Sequence, residues 1–141
     1  MINGLDSLKV TVIAEDSVLY ESPFWGAARK IFPDEAKAAG AAVVKDRSLA
    51  IITGCSHAGI VNICLHALEL FPGFPIETII GGLHLVEAEQ EKMDLTAKVL
   101  EDINPAWIAS GHCTGFRAQF GLFQTFGEKF EPFASGKVFR L

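Results

Sequence analysis

With 141 residues, half of them hydrophobic and 21% charged, the chain has one domain's worth of material, enough to bury roughly 70% of the surface it exposes when unfolded. A formal net charge of −5 with scattered Lys and Arg argues against a nucleic-acid ligand, because phosphate-backbone binding needs a basic surface that releases counterions. Cys55, Cys64 and Cys113 fit neither a disulfide framework nor a C-x-x-C zinc knuckle. No uninterrupted apolar run approaches the roughly 18 residues of a membrane span, and Met1 to Asp6 has no basic-then-apolar leader pattern. The expectation is a single cytoplasmic domain over 1–141, with no membrane and no nucleic acid as partner.

Leu8 to Ala14 alternates like a strand, and Ser17 to Glu21 is expected to pair with it as a hairpin across Glu15-Asp16. Ser22 to Gly40, punctuated by Pro23, Gly26 and Pro33, reads as a connection that holds one helical turn at most. Ala42 to Val44 and Leu49 to Thr53 flank the polar tip Lys45 to Ser48 and give a second hairpin.

Ala58 to Phe71 is apolar nearly all round and stops at Pro72-Gly73, as a buried helix does. Ile76 to Ile80 follows as a strand. Glu87 to Ile103 opens acidic, as a helix dipole favours, and sets Met93, Ala97 and Leu100 on one face. Ala106 to Ala109 is a short strand. Phe116 to Phe126 places Phe116, Phe120, Phe123 and Phe126 at helical spacing, a stripe expected to pack into the core, and Lys137 to Leu141 closes the chain as an extended piece.

The second half repeats one arrangement of strand, glycine-bearing loop and histidine. Ile51-Ile52-Thr53 leads to Gly54-Cys55-Ser56-His57, Ile79-Ile80 to Gly81-Gly82-Leu83-His84, and Ile108-Ala109 to Ser110-Gly111-His112. If these strands are neighbours in one sheet, their ends stand about 5 to 10 Å apart and the three imidazoles can converge. Neutral imidazoles suit zinc, iron or manganese, so His57, His84 and His112 are the candidate metal ligands, for one divalent transition ion or none. A loop histidine standing alone is more often a hydrogen-bonded surface residue. Cys55 and Cys113 flank this set, either as thiolates that complete a tetrahedron or as small buried side chains beside the loops. His66, in mid-helix, has an ordinary structural role. Neither Ser56 nor Ser110 stands in a G-x-S-x-G elbow, so neither is read as a nucleophile. No catalytic residue and no organic cofactor is assigned.

Gly54-Cys55-Ser56-His57-Ala58-Gly59-Ile60-Val61-Asn62, Gly81-Gly82-Leu83-His84-Leu85 and Gly111-His112-Cys113-Thr114-Gly115 resemble, in order, three blocks of the metallo-β-lactamase superfamily, in its branch of metal-dependent hydrolases and dihydropterin ribofuranosyl-aminobenzene phosphate synthase-like proteins. The opening from Val10 to Phe24, with Ser17-Val18-Leu19-Tyr20-Glu21-Ser22-Pro23-Phe24, is similar to the branch's first strands. The resemblance implies that His57 matches a ligand of the first metal and His112 a ligand of the second, with His84 in a block of less defined role. The family's H-x-H-x-D-H segment occurs nowhere in these 141 residues, so two histidine ligands and the aspartates of the metal site are missing.

The family fold is a four-layer αββα sandwich. The chain is expected to be α/β (α+β mixed), with one mixed sheet, helices on one face, and thus half of that sandwich. An apolar sheet face of this size is rarely left bare, which implies a homodimer. Three functions follow: a metal-dependent hydrolase of esters or phosphoesters with a reduced or lost active site, a non-catalytic homodimeric module that binds a small molecule or metal, and one part of a split hydrolase completed by another chain.

Overall fold

The computed structural model describes residues 11–13, 18–20 and 41–141, with side-chain packing from residue 46 onward. Strands β1 (Thr11–Ile13), β2 (Val18–Tyr20), β3 (Ala41–Lys45) and β4 (Ser48–Thr53) lead into helix α1 (Ile60–Leu70), strand β5 (Ile76–Gly81), helix α2 (Gln90–Ile103) and strand β6 (Trp107–Ser110). A 3₁₀ turn at His112–Thr114, helix α3 (Phe116–Phe126), and strands β7 (Phe130–Pro132) and β8 (Val138–Arg140) complete the described chain. The segment read as a connection, residues 22–40, lies outside the described residues.

One six-stranded sheet runs in the order β2-β3-β4-β5-β6-β7. Its β2, β3 and β4 are antiparallel neighbours, whereas β4 to β7 run parallel. The hairpin of β3 and β4 forms where the sequence placed it: Asp46 and Arg47 hold φ of 48° and 63° between the paired Lys45 and Ser48, the double left-handed turn whose twist matches antiparallel strands.

The first hairpin is corrected. β1 pairs in parallel with β8 in a separate two-stranded sheet, and β2 joins β3 instead. Alternation in a three-residue strand marks which face is buried but does not name a neighbour, and here each neighbour comes from farther along the chain.

Successive strand residues face opposite ways. Leu49, Ile51, Ile79, Ile108 and Phe130 pack beneath Ile60, Ile63, Cys64 and Ala67 of α1, Met93 and Leu100 of α2, and Ala118 and Leu122 of α3. The three helices among the described residues therefore cover one face. On the other face Ile80 and Ala109 are buried beneath Phe139 of β8, whose ring meets Trp107 and Phe133 edge-on, with centroids 5.2 and 5.5 Å away. A second β-layer thus begins on that side, and the whole is a mixed α/β half-sandwich.

Helix ends follow local chemistry. α1 buries residues at the i, i+3, i+4, i+7 spacing from Ile60 to Ala67. α2 begins at Gln90, later than its acidic lead-in suggested, and ends on Asn104, whose φ of 55° suits a left-handed cap.

The phenylalanine stripe of α3 is a second correction. Phe116, Phe120 and Phe123 are 82%, 54% and 54% exposed, while Ala118 and Leu122 are buried in their place. Position 118 lies two residues, about 200° of helix rotation, past Phe116. Either stripe has helical spacing, so periodicity identifies the helix without choosing its inner face. Phe126 does pack partly against the core.

Candidate metal centre

The C-terminal ends of β4, β5 and β6 are in register, with Thr53 opposite Gly81 and Gly81 opposite Ser110. His57, His84 and His112 follow on the three loops that leave these ends, and all three are exposed on one rim. The loops are tied together by backbone. Gly82 N–H donates to Gly54 O at 2.8 Å, Gly111 N–H to Gly81 O at 3.3 Å, and both Leu85 and Val86 N–H donate to Cys113 O. Leu83 N–H donates to Thr114 Oγ1 at 3.0 Å.

Each loop also carries one non-glycine residue in the left-handed region: Ser56 (φ 50°), His84 (53°) and His112 (51°). Such backbone costs on the order of 1 kcal/mol or more per residue, and it concentrates at functional rims, where surrounding structure holds it in place.

His57 and His84 stack ring on ring, with centroids 4.3 Å apart and an interplanar angle of 24°. His112 turns toward β4's loop, where its Nε2 lies 3.1 Å from Cys55 Sγ. The Cys113 thiol donates to Cys55 O at 3.5 Å. Ligand atoms of Cys55, His112 and Cys113 all lie within 4.8 Å of one another, whereas His57 and His84 stand outside that group. Two thiols and an imidazole fit a borderline divalent ion of the zinc class. Burial pushes the Cys113 thiol up from its ordinary 9.0, opposed by hydrogen bonds from the His84 backbone and the Cys55 side chain. An ion there must therefore displace a proton from Cys113.

The cysteines were the ambiguous part of the sequence. Gly-Cys-Ser-His and His-Cys-Thr put a thiol beside each histidine, which was the available signal, but no periodicity shows whether a loop side chain turns toward or away from its neighbour. Cys64 differs in kind, because it is fully buried in α1 and desolvation pushes its thiol up to about 12, which leaves it inert as nucleophile and ligand.

Ser56 is a structural residue. Its hydroxyl donates to Gly82 O at 2.6 Å and lies 2.9 Å from Thr53 Oγ1. His66 is on α1 with Nδ1 3.6 Å from Glu69 Oε2, the ordinary role expected of it. Beside the stacked histidines opens a cavity of about 270 Å³ lined in part by His57, Gly59, Asn62, His84, Lys92 and Thr96.

No family model matches the sequence. Among solved structures the fold is similar to that of Tm1679, a metal-dependent hydrolase of the β-lactamase superfamily, with a TM-score of 0.63 and 32% identity over 69% of this chain and 38% of that one. The chain is a relative of the metallo-β-lactamase superfamily with a partial form of its fold. Among curated proteins it is similar to the 7,8-dihydropterin-6-methyl-4-(beta-D-ribofuranosyl)-aminobenzene-5'-phosphate synthase of Methanocaldococcus jannaschii, 36% identical over 101 residues, which are 72% of this chain and 34% of the synthase. An uncharacterized protein of the same organism is 35% identical over 74 residues, 52% of this chain and 27% of its own length. The chain thus spans about a third of the length of the curated relatives it matches. Among the described residues, no helix is long and apolar enough to cross a membrane.

Proposed function

We propose that this chain supplies the late-histidine half of a metal-dependent hydrolase site, with His57, His84 and His112 as its imidazole donors and with catalysis reduced or lost. The observation that supports this most is the exposure of three imidazoles on one rim, each just past the end of one of three neighbouring parallel strands. A zinc-class ion bound there supplies Lewis-acid polarisation and a water acidified to a pKa of about 7, the chemistry of ester and phosphoester hydrolysis. The chain's own residues orient and bind. The cavity beside His57 and His84, with Lys92 on its wall, offers a small anionic molecule a place next to the rim. The reading of reduced catalysis is supported by the lack, within these 141 residues, of an H-x-H-x-D-H segment to supply further ligands and carboxylates.

The test is metal analysis of protein purified without added ions, together with assays on a phosphodiester and a lactone. Bound transition metal with no turnover above buffer is the expected result. Absence of any transition metal would remove the donor assignment, and a turnover abolished by His57→Ala and His112→Ala would remove the claim of reduced catalysis.

A second reading adds a homodimer, sheet face to sheet face, that rebuilds the sandwich from two copies. It is supported by the partial cover on that face. Phe139 shields Ile80 and Ala109, while Ile52, farther along on β4, is only half-buried. Light scattering on dilute protein is expected to give twice the chain mass, and a monodisperse monomer contradicts the dimer. If another chain completes the site instead, co-purification is expected to recover a partner that bears H-x-H-x-D-H.

A further inference from the structure

We infer that Cys55 and Cys113 join His112 in a thiol-rich seat for a zinc-class ion on the same rim as the stacked pair of His57 and His84. The inference rests on the reading that the rim binds metal, and it adds two thiol donors and the ions they select.

The distances fit. With Zn–S near 2.3 Å and Zn–N near 2.0 Å, tetrahedral donors stand roughly 3.3 to 3.8 Å from one another. The 3.1 Å contact of His112 Nε2 with Cys55 Sγ and the 4.8 Å limit on all three donor separations bracket that range. Side-chain shifts of about 1 Å close the seat. Adjacent residues in a regular strand point to opposite faces, yet His112 and Cys113 both reach Cys55. The 3₁₀ turn at His112–Thr114, entered through a left-handed His112, makes this possible.

The seat is also shaped from below. A Cβ on Gly82 would lie 2.7 Å from Cys113 Sγ, 3.4 Å from His112 Cδ2 and 2.5 Å from Gly54 O, so a glycine there leaves the space that the donors share. Two thiolates and one imidazole favour zinc, cobalt or cadmium over magnesium and manganese, which prefer oxygen ligands. Three protein donors leave one position for an exchangeable ligand.

The experiment is an anaerobic titration of reduced full-length chain with cobalt(II), followed by zinc(II). A thiolate-to-cobalt charge-transfer band in the near ultraviolet is expected to grow to about one equivalent and to bleach on zinc addition. Cys55→Ser and Cys113→Ser are expected to lose the band and to weaken binding roughly tenfold or more, whereas His66→Ala, on α1 beside Glu69 and outside the donor set, keeps the band. Because Cys55 is buried and its variant can fail to fold, alkylation of wild-type thiols gives a second readout, in which zinc slows reaction of Cys55 and Cys113. Cobalt binding without a thiolate band, or unchanged alkylation under saturating zinc, overturns the thiol seat and leaves the metal-binding rim standing. Failure to bind cobalt or zinc at all overturns both.

Discussion

His112 Nε2 meets Cys55 Sγ at 3.1 Å across 57 positions of sequence, and the meeting bridges two strands that are not neighbours. β5 lies between β4 and β6, so the loops that carry these residues start about 10 Å apart, two strand spacings. Their side chains close the gap over the end of β5, where Gly82 is buried and supplies no side chain.

Gly82→Ala is therefore expected to force apart the loops it ties together. The new Cβ meets the Gly54 carbonyl and the Cys113 sulfur at distances that real contacts do not reach, and overpacking of this kind costs about 1 to 3 kcal/mol. Urea unfolding measures it. Gly121→Ala is the control, since nothing lies within 4 Å of a Cβ at that helical position, and it is expected to gain about 0.5 to 1 kcal/mol through helix propensity. Equal stability of the two variants would contradict the close approach at Gly82.

The outward roll of α3 has its own test. Phe120→Ser and Phe123→Ser remove exposed rings and are expected to change stability by no more than about 0.5 kcal/mol each, as surface substitutions do. Leu122→Ala, between them in sequence but buried, is expected to cost about 2 to 5 kcal/mol. The reverse order would restore the phenylalanine stripe to the core.

Cys64 makes stability depend on alkaline pH. Its thiol is pushed up to about 12 in the fold, from 9.0, so the unfolded chain releases that proton first as pH rises. The contribution is complete below about pH 9 and is lost progressively as pH climbs toward 12. Cys64→Ala is expected to flatten the fall in unfolding free energy above about pH 9, in the range where the unfolded thiol is ionised and the folded one is not. An unchanged slope would show that this thiol is not desolvated.

Ser56→Ala is expected to cost about 1 to 3 kcal/mol, because it removes a buried hydroxyl and leaves the Gly82 carbonyl with one donor fewer. Cobalt affinity is expected to stay within a few-fold of wild type, since the hydroxyl belongs to none of the donor groups. A large loss of affinity with unchanged stability would instead make Ser56 part of the metal centre.

The elements around the site were legible because their signals are local. The Asp46-Arg47 tip, the apolar run from Ile60 to Leu70 and the three glycine-bearing strand ends each state their own structure, and the parallel order of β4, β5 and β6 follows from helices that connect them. What was not legible depends on partners distant in sequence. Thr11–Ile13 finds β8 at the opposite end of the described chain, Phe116 faces outward while Ala118 and Leu122 are the residues that α3 buries, and β7 is too short to show a period. At the rim, spacing brought out His57, His84 and His112 as candidates, but the division into a stacked pair and a thiol-contacting third is set by loop backbone with positive φ. Nothing in residue type alone signals that conformation at a histidine.

The central claim, that this rim is a metal centre, is tested most directly by diffraction from crystals grown with zinc, collected on both sides of its absorption edge. An anomalous peak about 2.0 to 2.3 Å from rim sulfur and imidazole nitrogen atoms is the expected result. Well-ordered rim loops with no such peak, or with the three histidines carried to different edges of the sheet, would contradict it.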